Sequence, residues 1–309
     1  MSSGYLTNPI AAVAADPWVV CRDGVYYYCY SDAGGILVNA ARTLQAALQR
    51  TGTVIWQAPP GTPCSKEIWA PELHRLAGRW YIYFAADDGA NANHRMYALA
   101  SDADDPMGPY TLAGAMLTSP DRWAIDGTVL THRGQDYFIW SGWDGLTDVS
   151  QELYIARMKS PVQLEGPRVL ISRPEHTWER SVHPINEGPA VLAHQGRTFV
   201  IYSANASWTD NYCLGQLEMV GADPLDASAW RKKPTPVMSS GNDLFGPGHP
   251  SFIKSPDGRE DWIIYHTAVH SGAGWKRQCH AQPFDWSCGE PNFGQPAGKG
   301  VALPAPSGQ

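Results

Sequence analysis

Five times along the chain a glycine turn opens onto a short run of aromatic and aliphatic residues. The runs are Val25-Tyr-Tyr-Tyr-Cys-Tyr30, Trp80-Tyr-Ile-Tyr-Phe84, Tyr137-Phe-Ile-Trp140, Thr198-Phe-Val-Ile-Tyr202 and Trp262-Ile-Ile-Tyr265, after Gly24, Gly78, Gly134, Gly196 and Gly258. Apolar runs this short, rich in Tyr, Trp, Phe, Ile and Val and bounded by turn residues, predict strands rather than helices. Asp23-Gly24 and Asp257-Gly258 are predicted to form tight hairpins. Further strands are expected over Ile36–Ala41, Arg95–Ala100, Leu153–Arg157, Cys213–Glu218 and Arg277–Phe284.

Counting back eight or nine residues from each turn glycine lands on Asp16, Ala70, Asp126, Glu187 and His249, at intervals of 54, 56, 61 and 62 residues. Propeller repeats of about 40–45 residues carry four strands, so these intervals leave room for a fourth strand per unit. The pattern predicts an all-β, five-bladed β-propeller, a single domain over residues 1–309 with no linker. Equivalent positions on the innermost strands of a propeller form a ring about its axis. One acidic residue there would read as a strand-end cap. Three carboxylates and a histidine in register, on strands otherwise as apolar as Trp18-Val-Val20 and Phe252-Ile253, need another reason, because buried charge is costly unless it is paired or used.

Composition narrows the function classes. The chain is 17% charged with net charge −7 and has no basic cluster, which excludes a nucleic-acid partner. No run of 18 apolar residues suggests a membrane span, and Met1 to Ile10 has no secretory pattern, so the sequence as written reads as cytoplasmic, or as secreted if trimmed of a leader. Its 13 Trp and 14 Tyr suit strands and sugar-binding surfaces equally. Six cysteines without C-x-x-C spacing read as buried thiols, with a Cys279–Cys288 bridge left open for an exported protein.

Glycoside hydrolysis needs a protonated carboxylic acid at the leaving oxygen and an ionised carboxylate across the sugar. A ring of carboxylates on separate blades supplies that opposition, and a like charge beside the acid raises its pKa. Glu187, one methylene longer than Asp, is the natural acid; Asp16 would serve a water from across the funnel.

The motifs Ala15-Asp16-Pro17-Trp18-Val19, Ile68-Trp69-Ala70-Pro71-Glu72-Leu73, Ile125-Asp126-Gly127-Thr128-Val129, Asn186-Glu187-Gly188-Pro189 and Gly248-His249-Pro250-Ser251-Phe252 fall in order, one per blade. As a set they resemble those of glycoside hydrolase family 43. The resemblance implies an inverting mechanism with Asp16 as base, Glu187 as acid and Asp126 tuning that acid. It also implies that Trp69, His249 and Arg277 contact substrate, and that His249 faces a funnel where a hydrated calcium ion could sit. From the residues alone, His249 could equally bond substrate or a carboxylate, and Arg277 could equally form a structural salt bridge. Glu72, two residues deeper than the ring, is expected to be structural. Ile68–Leu73, Asp210–Leu217 and Gly246–His249 are similar to exo-acting α-L-arabinofuranosidases, which implies an arabinan or arabino-oligosaccharide substrate. Segments 86–94, 141–151 and 204–212 could close one end of the pocket.

β-Xylosidases and endo-arabinanases share the three carboxylates. Retaining hydrolases of the sucrose and fructan type also begin on Asp-Pro, but carry an Arg-Asp-Pro and a Glu-Cys motif where this chain has Asp126-Gly127 and Glu187-Gly188. A lectin propeller would repeat like residues between blades, whereas these ring residues differ.

Overall fold

The computed structural model describes residues 4–49 and 51–309. Twenty of its strands form five four-stranded antiparallel sheets, each in simple sequence order. Blade one comprises Trp18–Arg22, Val25–Asp32, Gly35–Ala41 and Thr53–Gln57; blade two Lys66–Leu76, Arg79–Asp87, Arg95–Ser101 and Thr111–Ala115. Blade three comprises Ala124–His132, Gln135–Trp143, Gln151–Ser160 and Gln163–Ser172. Blade four comprises Asn186–His194, Arg197–Ala204, Cys213–Met219 and Trp230–Lys232; blade five Phe245–Lys254, Asp261–Ala268, Arg277–Ser287 and Glu290–Asn292. The first strands contact one another in a closed circuit, so this is the five-bladed propeller that the repeats predict.

The core lies between the blades rather than on the axis. Successive strand residues point to opposite faces, and every blade has a neighbour on both faces. The second strands are therefore apolar throughout instead of alternating. In blade three, Phe138 and Trp140 pack toward blade two, while Ile139 packs toward blade four. In blade four, Val200 and Tyr202 face blade three and Phe199 and Ile201 face blade five. Five hydrophobic clusters result, one per blade interface.

Closure uses the N-terminal segment. Tyr5–Thr7 pairs antiparallel with Ala302–Pro304. Beyond it, Ile10 N–H donates to Cys279 O (2.9 Å), Cys279 N–H to Ala11 O (2.9 Å) and Ala14 N–H to Arg277 O (3.2 Å). The last strand of blade five pairs only along Asp285–Ser287, so residues 10–14 occupy the other half of that edge.

Two local expectations are corrected. Asp23-Gly24 is a two-residue hairpin with both residues at positive φ (52° and 72°), but Asp257-Gly258 lies inside a longer connection between Lys254 and Asp261. The Cys279–Cys288 bridge is not formed: Cys279 lies near the start of the strand Arg277–Ser287 and Cys288 just past its end, so an extended strand of about 3.3 Å per residue separates them, against about 5.5 Å between bridged Cα atoms, and both are free thiols. Cys29, Cys64, Cys213 and Cys279 are buried as expected, whereas Cys288 is exposed.

Candidate active site

Each inner strand carries the same irregularity a few residues from its start. Pairing skips Ala70-Pro71, Asp126-Gly127, Gly188-Pro189 and His249-Pro250, and Asp16-Pro17 stands just ahead of the first paired residue of blade one. These are β-bulges, which bend a strand and re-aim its side chains. The leading residue of each has positive φ: Asp16 47°, Ala70 43°, Asp126 56°, Gly188 53° and His249 49°.

The ring position in blade four is therefore Gly188, and Glu187 precedes it. The first four hairpins have two-residue turns, so their common offset is eight residues, which lands on Gly188. Only blade five, with its longer connection, needs nine. Glu187 shares its register with Trp69, Ile125 and Gly248, yet its carboxylate still enters the funnel. Glycine at 188 is required by space as well as backbone, since a Cβ there would come within 3.1 Å of His249 Nδ1.

Around Asp16, His249 Nδ1 stands 3.2 Å and Arg277 Nη1 3.4 Å from Oδ1. The Asp16 N–H donates to His266 Nδ1 at 3.1 Å. Burial opposes the charge on Asp16, but the imidazolium and guanidinium outweigh it and hold its pKa well below the usual carboxylate range. Burial also opposes the charge on His249; Asp16, Asp126 and Glu72 prevail and raise its pKa to about 9. His266, by contrast, is pushed down to about 3 by burial and Arg277, so it stays neutral.

Asp126 and Glu187 are governed the opposite way. Burial, then the charge of Asp126, raises Glu187 to about 7, against a hydrogen bond from Tyr212 Oη to Oε1 (2.8 Å) and the more distant Arg277 and His249. Burial and the charge of Asp16 raise Asp126 to about 6, opposed by His249 and by a bond from Gly188 N–H to Oδ2 (3.0 Å). Asp126 thus feels a carboxylate on either side. The site holds one carboxylate firmly ionised and, close by, another that titrates near neutrality.

Tyr212 and His266 are partners that sequence reading missed. Tyr212 lies within the segment singled out at 210–217, but its reach depends on Gly248, where a Cβ would fall 2.0 Å from Tyr212 Cε1. Glu72 is buried and pairs with His74 at 2.7 Å. Trp69 is half-buried, stacked on His94 with centroids 4.0 Å apart, and no contact places it on the carboxylates. Arg277 forms the salt bridge, to Asp16.

A cation would need oxygen ligands in number. Among the described residues no three of His, Cys, Asp or Glu converge as ligands. Below the ring, Thr128 Oγ1 and Ser251 Oγ are buried without a hydrogen-bond partner in the structure. The residues therefore fit a cation only through water. A cavity of about 90 Å³ adjoins Asp16, between Tyr28, Tyr30, Ser31 and Ala70. A larger cleft of about 630 Å³ opens at the other end of the inner strands, beside His74, Arg75 and Lys254, and contains none of the three carboxylates.

The profile of Glycosyl hydrolases family 43 matches residues 6–291. The chain belongs to that family. Its relatives include an extracellular exo-α-(1→5)-L-arabinofuranosidase of Streptomyces avermitilis, 36% identical over 96% of this chain and 64% of the relative. The chain thus spans just under two thirds of that protein's length. A like-named enzyme of Streptomyces chartreusis is 35% identical over 84% of this chain and 81% of its own. The crystal structure of an α-L-arabinofuranosidase from Lactobacillus brevis, 36% identical, superposes with a TM-score of 0.89, covering 96% of this chain and 98% of that one. No helix among the described residues is long and apolar enough to cross a membrane.

Proposed function

We propose that this chain is an inverting, exo-acting α-L-arabinofuranosidase that releases arabinose from the non-reducing ends of arabinan or arabino-oligosaccharides. The observation that carries the mechanism is the split in protonation: Asp16 held ionised by His249 and Arg277, Glu187 raised to about 7 by burial and Asp126. Two carboxyl groups with opposed pKa shifts are what an acid–base pair needs at neutral pH. Glu187 gives its proton to the glycosidic oxygen while Tyr212 keeps the carboxyl oriented. Asp16 takes a proton from a water attacking the anomeric carbon, and the cavity beside Asp16 exceeds the roughly 30 Å³ of one water. Asp126 keeps Glu187 protonated by repulsion. The sugar follows from the arabinofuranosidase names of the relatives.

Calcium belongs to this reading only as a hydrated ion that Glu72, Thr128, Ser251 and His249 would hold through water. Bound there, it would add positive potential beneath the carboxylates.

A panel of aryl arabinofuranoside, xyloside and galactoside, followed by linear and branched arabino-oligosaccharides, tests the assignment. The expected result is arabinose released from non-reducing ends, with the inverted anomer appearing first in a proton NMR time course. Retained configuration would overturn the role of Asp16, and preference for xyloside would overturn the sugar. Glu187→Gln should abolish hydrolysis of unactivated arabinosides while oligosaccharide binding persists; unchanged turnover removes Glu187 from the mechanism.

A further inference from the structure

All 13 tryptophans lie among the described residues, and two of them are exposed: Trp208 (39%) and Trp275 (67%). They stand together, edge to face, with ring centroids 5.5 Å apart. Trp208 belongs to the connection after the second strand of blade four, Trp275 to that of blade five. Both connections lie at the end of the propeller where the inner strands begin, which is the end holding the carboxylates.

The pair is tied to the site. Trp275 Nε1 donates to Ser207 Oγ (3.2 Å), and Ser207 O accepts from Arg277 Nη2 (3.0 Å), whose other nitrogen faces Asp16. The connection bearing Trp208 runs on into Tyr212, which bonds Glu187. Asp210 pins the two connections together, accepting from Ser271 Oγ and from Gly272 N–H (3.0 Å). The surface is therefore built before a ligand arrives, and stacking on it costs little ordering. Large exposed aromatic faces beside a polar cleft suit the C–H face of a neutral sugar. Trp208 stands on the connection that leads into Tyr212 and its bond to Glu187, which puts the pair beside the acid.

We propose that Trp208 and Trp275 form a binding platform for the sugars beyond the scissile bond, a subsite for the neutral pentose chain that departs from Glu187. This rests on the arabinofuranosidase reading.

The test compares methyl α-L-arabinofuranoside, whose leaving group is too small to reach the platform, with α-1,5-linked arabinotriose. In Trp208→Ala and Trp275→Ala, kcat/KM on arabinotriose should fall about tenfold, mainly through KM. Turnover of the methyl glycoside should stay within about twofold, and Trp→Phe variants should recover most of the loss. Equal losses on both substrates would reveal a merely structural role and overturn the proposal. An undiminished arabinotriose rate, with or without a change of oligomeric state in light scattering, would overturn it too. Should the wild type cleave neither arabinoside, the arabinofuranosidase reading fails by itself. Tryptophan fluorescence of Glu187→Gln titrated with arabinotriose then decides the platform: quenching lost in the two alanine variants supports it, and no quenching overturns it.

Discussion

At Glu187 a proton is held by burial and by Asp126, and both can be changed one atom at a time. The proposed mechanism requires Glu187 protonated and Asp16 ionised, so the pH profile should be bell-shaped. Its alkaline limb should lie near 7, where Glu187 titrates. Its acid limb should lie below the ordinary carboxylate range of about 4, because Asp16 is held ionised. Asp126→Asn removes the repelling charge, lowers the Glu187 pKa and should move the alkaline limb down by about one unit. A limb that stays in place in this variant would show that Asp126 does not tune the acid.

At the scale of strands, the strand that carries Glu187 is anchored from behind. Asn186, the residue before Glu187, donates to Glu179 Oε1 (3.0 Å) and accepts from Ser172 Oγ (2.7 Å); Glu179 also accepts from Lys232 Nζ (2.8 Å) and Tyr202 Oη (2.8 Å). Glu179 is fully buried, so Lys232→Met would leave its charge unpaired and should destabilise the fold by about 3–5 kcal/mol. Chemical denaturation checks this; a loss under about 1 kcal/mol would mean that the charge finds water instead. The second strands were legible in sequence because a strand buried on both faces must be apolar at every position, and the two-residue turns made their spacing countable. The bulge in blade four was not legible. Periodicity carries no record of a residue at positive φ, so Glu187 and Gly188 exchanged places in the count. Tyr212 and His266 were hidden for a different reason: their contacts with Glu187 and Asp16 cross 25 and 250 residues of chain. The outermost strands Trp230–Lys232 and Glu290–Asn292 are three residues each and leave almost no pattern to read.

At the scale of the whole molecule, stability is distributed over five inter-blade clusters, and any one blade lost exposes two of them. Trp140 is fully buried between blades two and three, and Trp140→Ala should cost about 3–5 kcal/mol, measured by denaturation, without moving the pH profile. Residues 10–14 close the ring onto blade five, and Asp16 follows two residues later. The three side chains that surround Asp16, from His249, His266 and Arg277, all come from blade five. A chain still being synthesised would therefore display residue 16 first among the carboxylates and yet have nothing to hold it until the final blade emerges. Under the proposed roles, unfinished or nicked-open molecules would own an acid without a working base, so hydrolysis would report completion of the circle rather than mere compaction. During refolding, glycosidase activity should appear only after tryptophan fluorescence has already recovered.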